Sequence, residues 1–253
     1  MDRVQRIEYW HWSAGEIFNT NYFEGPDDIK QLHSVIKDNL NKDIKDLPAS
    51  GVPKTSKVDF ISYKPLRPYL INLEQRIKWC NNEHFGFNLH EFTDFDSVHL
   101  NTYSSSNSGE YGWHSDVADG DKPWDIKFTV LINVSQNSYT GGDFQFMLNG
   151  EQDVPEFKNC GDVIMFRSHL QHRVKPMILG ERQTLSLFVL IIIRVLPSGE
   201  SLNSLKLDLH AKCSKGINPS SAKAFKDIVE NNIAEKNVFV MFLMLIIGCP
   251  LYF

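Results

Sequence analysis

The sequence is poor in cysteine, with four in 253 residues. That number is too small for a disulfide framework at this length, and no cysteine has the neighbours of a structural zinc site. Basic residues are also outnumbered, since 26 Lys and Arg face 31 Asp and Glu and the formal net charge is −5. Proteins that bind nucleic acids usually carry a basic surface. We therefore expect a protein of a reducing, cytoplasmic compartment that has no nucleic-acid partner.

Long hydrophobic runs are equally scarce. The N-terminal residues lack the apolar stretch of a signal peptide. Residues 238–253 form a run without charge, but a membrane-spanning helix needs about 20 residues and Gly248 and Pro250 interrupt this one. We expect a C-terminal extension of unknown role over 194–253, with a helix at 221–235. Contact of this tail with a membrane is the less favoured alternative.

The rest of the chain has a sequence pattern typical of a β-rich domain with a few helices. Apolar residues at helical spacing predict helices over 26–40 and 68–79. From about residue 87 the pattern changes to short strands separated by Gly, Asn and Ser, which is typical of a sandwich or barrel. The predicted strands lie at 126–134, 143–148, 161–168 and 182–193. Strict alternation in the first of them predicts a half-buried strand.

These patterns predict a mainly β fold with supporting helices. We divide the chain into supporting helices and strands at 1–86, a β core at 87–193 that forms one domain with them, and the extension at 194–253.

His114 and Asp116 form an H-x-D pair that could bind a metal. On an extended segment residues two apart share a face, about 6.5–7 Å apart along the chain. A third ligand is available in His172, which follows the strand at 161–168, and His169 competes for that role. Two histidines and one carboxylate leave coordination positions open, which suits non-haem Fe(II) and oxygen chemistry. The alternative is a surface histidine beside an acid.

Arg182 opens a strand on which Arg182, Thr184 and Ser186 share one face. A buried guanidinium is costly without an anionic partner. A dicarboxylate cosubstrate would supply one, because a guanidinium can bind a carboxylate through two hydrogen bonds, and Thr184 could add a third. The alternative is an internal ion pair with Asp162 or Glu181.

Together these residues resemble the Fe(II)/2-oxoglutarate-dependent dioxygenases, specifically their prolyl-4-hydroxylase-like branch. The resemblance runs from about residue 99 to 190. The matching residues are Tyr103, Tyr111, His114-x-Asp116, Gly141-Gly142, Gly161-Asp162, Phe166, His172-Arg173-Val174 and Gly180-x-Arg182-x-Thr184. The resemblance implies a double-stranded β-helix, a jelly-roll or cupin-like core, with helices packed on one side.

The same resemblance implies the roles of the site residues. His114, Asp116 and His172 are expected to bind Fe(II). Arg182 and Thr184 are expected to hold the distal carboxylate of 2-oxoglutarate, with Tyr103 reaching the same molecule. The implied reaction consumes O2, releases succinate and CO2, and hydroxylates a C–H bond of a prolyl or other amino-acid side chain in a peptide or small molecule. Ascorbate is an implied accessory reductant.

Other readings leave part of this pattern unused. The nucleic-acid dealkylases of the family carry an Asn and a second Arg after the first, and residues 183–188 contain neither. A zinc hydrolase with the same ligands would give Arg182 no role. A non-catalytic jelly-roll binding module would not need the three ligand residues.

Overall fold

In the computed structural model of the chain, the described residues are 9–18, 27–41, 52–94, 96–117 and 124–192. The chain divides into two units, Met1–Ile193 and Arg194–Phe253, and every described residue belongs to the first. The predicted extension, with its helix at 221–235 and its apolar run, lies outside the described residues. Within them no helix is both long and apolar enough to span a bilayer. The division into domains stays a prediction.

The described residues form short strands and three α-helices. In chain order the elements are β1 (Tyr9–Trp12), α1 (Ala14–Ile17), α2 (Asp27–Asp38), β2 (Lys57–Ser62), α3 (Tyr63–His84), β3 (Ser97–Ser104), a 3-10 turn (Ser105–Asn107), β4 (Tyr111–His114), β5 (Trp124–Asn133), β6 (Thr140–Gly141), β7 (Phe144–Met147), β8 (Glu151–Asp153), β9 (Val163–Arg167), β10 (His172–Val174), β11 (Met177–Leu179) and β12 (Glu181–Ile192). This content confirms the mainly β prediction.

Two antiparallel sheets carry most of the strands. The larger has the order β1-β9-β5-β12-β3-β2, and the smaller has the order β4-β10-β7-β8. A short pair, β11 and β6, stands beside them. Strands β1 and β2 come from the N-terminal part of the chain and join the same sheet as strands of the β core.

The helix at 68–79 is longer than its predicted bounds, since α3 begins at Tyr63 and ends at His84. Pro68 therefore lies inside the helix and does not start it. The backbone bond lost at Pro68 is offset by burial, because the helix presents one continuous apolar face. That face consists of Tyr63, Leu66, Leu70, Leu73, Ile77 and Cys80, all buried against the larger sheet.

The alternation predicted that strand β5 is half-buried, and this prediction is wrong. The strand is buried on both faces over Phe128–Asn133. One face, with Phe128, Val130 and Ile132, packs in the core beneath the helices. On the other face Leu131 packs in a second cluster, together with Phe144, Phe146, Phe157, Ile164, Phe166 and Val174. The polar residues of β5 therefore point into the protein, so the space between the sheets has a polar as well as an apolar lining.

Candidate active site

Two histidines face each other across neighbouring strands of the smaller sheet. His114 ends β4 and His172 begins β10, and the register places them directly opposite. Their ring centroids are 4.1 Å apart. His114 Nδ1 lies 2.8 Å from the Gly112 carbonyl oxygen, and His172 Nδ1 lies 2.9 Å from that of Leu170. A carbonyl can only accept, so both Nδ1 atoms carry the proton and both Nε2 lone pairs are left for a ligand.

Asp116 lies next to both Nε2 atoms. Its Oδ1 is 3.6 Å from His114 Nε2 and its Oδ2 is 3.3 Å from His172 Nε2. The Asp116 backbone N–H donates to the Ser168 carbonyl, at 2.8 Å. The Thr129 hydroxyl donates to Oδ2, also at 2.8 Å. The carboxylate is therefore fixed from both its backbone and its side chain.

Burial shapes the charges of this cluster. It lowers the pKa of His114 to about 4, and the neighbouring His172 acts in the same direction. A neutral imidazole is the form that binds metals. Burial alone would raise the pKa of Asp116, but His172 and His114 outweigh it and lower that pKa. Burial thus keeps His114 neutral beside a carboxylate that stays ionised.

The donor set fits a metal ion. The ligand atoms of His114, Asp116 and His172 lie within 4.8 Å of one another. Two nitrogens and a carboxylate that leave positions open are the ligands of a non-haem Fe(II) site. His169, the competing candidate, is exposed and is not a member of this cluster.

Arg182 is buried in the same interior with two of its nitrogens unpaired. Its side chain is 1% exposed. One terminal nitrogen donates to the Gly142 carbonyl, and the guanidinium carbon lies 5.0 Å from the centroid of the Phe157 ring. Nε and the other terminal nitrogen have no hydrogen-bond partner among the described residues. Burial lowers the pKa of this guanidinium.

Among the described residues, neither carboxylate considered as an internal partner pairs with Arg182. Asp162 accepts from the backbone N–H groups of Lys158 and Asn159, at 3.2 and 2.6 Å. Glu181 is exposed. An unpaired buried donor costs about 1–3 kcal/mol, so the folded chain carries an unfavourable feature that an anionic ligand would remove.

Thr184 and Tyr103 lie on the same face as Arg182. The Thr184 hydroxyl is buried and has no hydrogen-bond partner among the described residues. Tyr103 stands opposite Arg182 in the β3–β12 register, so the two side chains are neighbours. Burial raises the pKa of Tyr103, so its phenol stays protonated and can donate. Three polar groups of this face could thus bind one carboxylate.

The glycine pair at 141–142 permits the close approach of Arg182. Both residues have positive φ, 77° and 61°. A Cβ at Gly142 would lie 2.3 Å from Met177 Sδ, and one at Gly141 would lie 2.6 Å from the Pro176 carbonyl oxygen. Only glycine fits at these two positions of the turn. The Gly142 carbonyl of the same turn accepts the hydrogen bond from Arg182.

Sequence reasoning missed the groups that hold the triad. A half-buried strand at 126–134 would place Thr129 on its solvent-facing side, and the carbonyls of Gly112 and Leu170 carry no sequence signal. The stacking of Tyr111 on His114, with centroids 3.5 Å apart, was also missed. One signal was present, because Thr129 and Asn133 are polar residues on a strand too apolar to lie at a surface.

The sequence model of the 2OG-Fe(II) oxygenase superfamily matches residues 98–190. A PKHD-type hydroxylase from Synechococcus sp. (strain CC9605) is 36% identical over 90 residues, which are 34% of this chain and 39% of the relative. A PKHD-type hydroxylase from Prochlorococcus marinus (strain MIT 9211) is 34% identical over 90 residues, 34% of this chain and 38% of the relative. The chain thus spans about two fifths of the length of these relatives.

The fold is similar to that of a viral collagen prolyl hydroxylase from Paramecium bursaria Chlorella virus 1, solved as a 2OG complex. The TM-score is 0.51 at 13% identity, over 74% of this chain and 97% of the viral one. At this identity the likeness concerns the fold alone. It confirms the double-stranded β-helix expected from the sequence.

Proposed function

Because residues 98–190 match the sequence model of the 2OG-Fe(II) oxygenase superfamily, we propose that the chain is an Fe(II)- and 2-oxoglutarate-dependent dioxygenase. It uses O2 to hydroxylate an unactivated C–H bond while 2-oxoglutarate is converted to succinate and CO2. One observation carries this proposal: the domain contains both the His114–Asp116–His172 cluster and a buried Arg182 with two unpaired nitrogens. A metal site alone would not explain the second feature.

At the metal end, three side chains hold Fe(II). His114 and His172 bind through Nε2, since their Nδ1 protons are committed to carbonyls. Asp116 supplies the anionic ligand, and Thr129 fixes its orientation. When bound, Fe(II) and 2-oxoglutarate would activate O2, the oxidant, so that one oxygen atom enters succinate and the other enters the hydroxylated substrate. The chain supplies position, charge and exclusion of water.

At the other end, Arg182 binds the distal carboxylate of 2-oxoglutarate. Its two unpaired nitrogens become donors to that carboxylate, and the Thr184 hydroxyl adds a further bond. Tyr103 donates its phenolic proton to the same molecule. The surrounding burial strengthens each of these bonds, because they form where water does not compete.

The substrate class is an amino-acid side chain, prolyl or other, in a peptide or a small molecule. The name of one similar protein, a collagen prolyl hydroxylase, supports this class, and the PKHD-type relatives are named as hydroxylases. Ascorbate belongs in the assay as a reductant that keeps iron in the Fe(II) state. Nucleic acid is not a partner in this proposal, given the net charge of −5.

An anaerobic titration tests the proposal. The protein is loaded with Fe(II) under nitrogen, 2-oxoglutarate is added, and the visible charge-transfer band of the chelate is recorded. We expect the band in the wild type and in His169→Ala, whose side chain is exposed, and none in His172→Ala. A band of equal strength in His172→Ala would overturn the ligand assignment.

A second measurement tests the reaction. Succinate formation is followed in air with Fe(II), ascorbate and a peptide library, and peptide masses are searched for a gain of one oxygen atom. Metal analysis of protein purified without oxygen separates this proposal from a zinc hydrolase. Tight peptide binding without any metal-dependent succinate would favour a binding module instead.

A further inference from the structure

We propose that Lys158 is a positioning residue for the carboxylate end of the site: it holds Asp143 away from Arg182, so that the guanidinium remains available for the cosubstrate. The inference rests on the proposed function, because it concerns how 2-oxoglutarate is bound. It identifies a residue outside the binding face that determines the affinity for that molecule.

The unpaired nitrogens of Arg182 make the guanidinium a target for any carboxylate within reach. A charge-assisted N–H···O⁻ bond is about twice as strong as a neutral one. The side chain is 1% exposed, and the two free nitrogens have no hydrogen-bond partner among the described residues. An internal acid that turned toward them would therefore compete directly with the ligand.

Asp143 is attached to the group that Arg182 already binds. The carbonyl that accepts from Arg182 belongs to the peptide group joining Gly142 to Asp143. The hydrogen bond from Lys158 lowers the pKa of Asp143 most, and the charges of Lys175 and Arg182 lower it further. Asp143 is thus an ionised carboxylate that interacts electrostatically with the Arg182 guanidinium but does not form an ion pair with it.

Lys158 accounts for the absence of that pair. Its ammonium donates to Asp143 Oδ1, at 2.8 Å, and to the Gly141 carbonyl, at 3.2 Å. The ammonium also lies 4.4 Å from the centroid of the Tyr139 ring. These contacts hold Asp143 near the surface, where its side chain is 43% exposed. The same turn therefore presents a carbonyl to Arg182 and its carboxylate to Lys158.

Calorimetry of 2-oxoglutarate binding to the Fe(II)-loaded protein under nitrogen tests this arrangement. In Lys158→Met we expect the affinity to fall about 10- to 100-fold, since Asp143 then occupies the guanidinium. Lys158→Arg keeps the pair and should bind nearly as tightly as the wild type. Lys57→Met removes an exposed lysine that pairs with Asp59 elsewhere, and serves as the matched control.

The variant Asp143→Asn separates direct competition from a general effect of charge. In the Lys158→Met background it should restore the affinity, and alone it should change little, because Lys158 already engages the carboxylate. A gain from Asp143→Asn alone as large as the loss in Lys158→Met would indicate long-range electrostatics and overturn the proposal. The proposal would also be overturned if the variant with both Lys158→Met and Asp143→Asn still bound 2-oxoglutarate weakly. Lys158 would then affect binding through the conformation of the turn and not through Asp143.

A crystal structure of ligand-free Lys158→Met tests the inference independently of any cosubstrate. We expect a carboxylate oxygen of Asp143 within hydrogen-bond distance of Arg182. An Asp143 that still points to solvent would refute the inference even if the enzyme is active. Conversely, a wild type that binds no 2-oxoglutarate would refute the proposed function and leave the crystallographic result to stand on its own.

Discussion

The two ends of the candidate site differ in how completely their polar groups are satisfied. At the metal end each imidazole is oriented by a carbonyl, and the carboxylate is held by Thr129 and by its own backbone. At the carboxylate end two nitrogens of Arg182 and the hydroxyl of Thr184 have no partner among the described residues. One end is supported before anything binds, whereas the other is incomplete.

The difference follows from what each end must recognise. Metal ligands need fixed directions, and neighbouring groups that hold them typically contribute 10- to 100-fold in affinity. A carboxylate brings its own acceptors, so the protein must leave donors free for it. Leaving buried donors free costs stability in the ligand-free state. Mutations at the metal end should therefore lower the affinity for the metal without changing stability. Mutations at the carboxylate end should lower the affinity for the cosubstrate and raise the stability of the ligand-free protein.

The largest effect is expected from Asp116→Ala. Loss of the only anionic ligand in the cluster should weaken Fe(II) binding by more than about 100-fold, beyond what the loss of a supporting group causes. The measurement is the rise in melting temperature with added Fe(II) under nitrogen, which a ligand that binds only the folded state must produce. We expect the rise in the wild type and in the control Asp94→Ala, whose carboxylate pairs with Arg67 and is not a member of the cluster. An equal rise in Asp116→Ala would contradict the metal assignment.

Arg182→Met is expected to change affinity and stability in opposite directions. The affinity for 2-oxoglutarate should fall about 100-fold, because a buried charged partner is lost. The free energy of unfolding without ligand should stay equal or rise by about 1–3 kcal/mol, because the removal of two unsatisfied donors outweighs the loss of the one hydrogen bond to the Gly142 carbonyl. Urea denaturation measures this, with Leu185→Ala on the opposite face of β12 as the comparison.

Leu185 is fully buried in the core beneath the helices, and its truncation should cost about 2–5 kcal/mol. If Arg182→Met destabilised the protein by a similar amount, Arg182 would be a structural residue, and the contrast between the two ends would disappear.

Much of the site could be predicted because its residues lie close together in the sequence or follow strand periodicity. The H-x-D pair shares a face by strand geometry, and the alternation after Arg182 places Thr184 beside it. Which histidine completes the cluster could not be settled from spacing: His169 and His172 both follow β9, and only the tertiary structure buries one and exposes the other.

The fold was predicted less well where tertiary burial overrides local pattern. Pro68 was taken as the start of a helix, but apolar packing extends α3 back to Tyr63. Strand β5 was expected to have an outer polar face, because alternation cannot distinguish solvent from a polar interior. Thr129 was missed for that reason, and the missed residue is the one that holds Asp116.

Thr129→Val tests the support at the metal end. The substitution keeps the shape of the side chain and removes the hydroxyl that donates to Asp116. We expect the dissociation constant of Fe(II) to rise about 10-fold, with no change in 2-oxoglutarate affinity once iron saturates the protein. Thr129→Ser keeps the hydroxyl and should bind iron like the wild type. If both variants lost the same affinity, the methyl group and not the hydrogen bond would be responsible.

The smallest effect is expected from Thr184→Val at the carboxylate end. Because the hydroxyl has no partner in the ligand-free protein, its removal should leave the free energy of unfolding unchanged or slightly higher. The affinity for 2-oxoglutarate should fall about 5-fold, because one hydrogen bond that contributes about 1 kcal/mol is lost. Calorimetry with Thr184→Ser as control measures the affinity, and urea denaturation measures the stability. A Thr184→Val protein that lost stability but bound 2-oxoglutarate normally would show that the hydroxyl serves the fold, and that the incomplete end of the site is confined to Arg182.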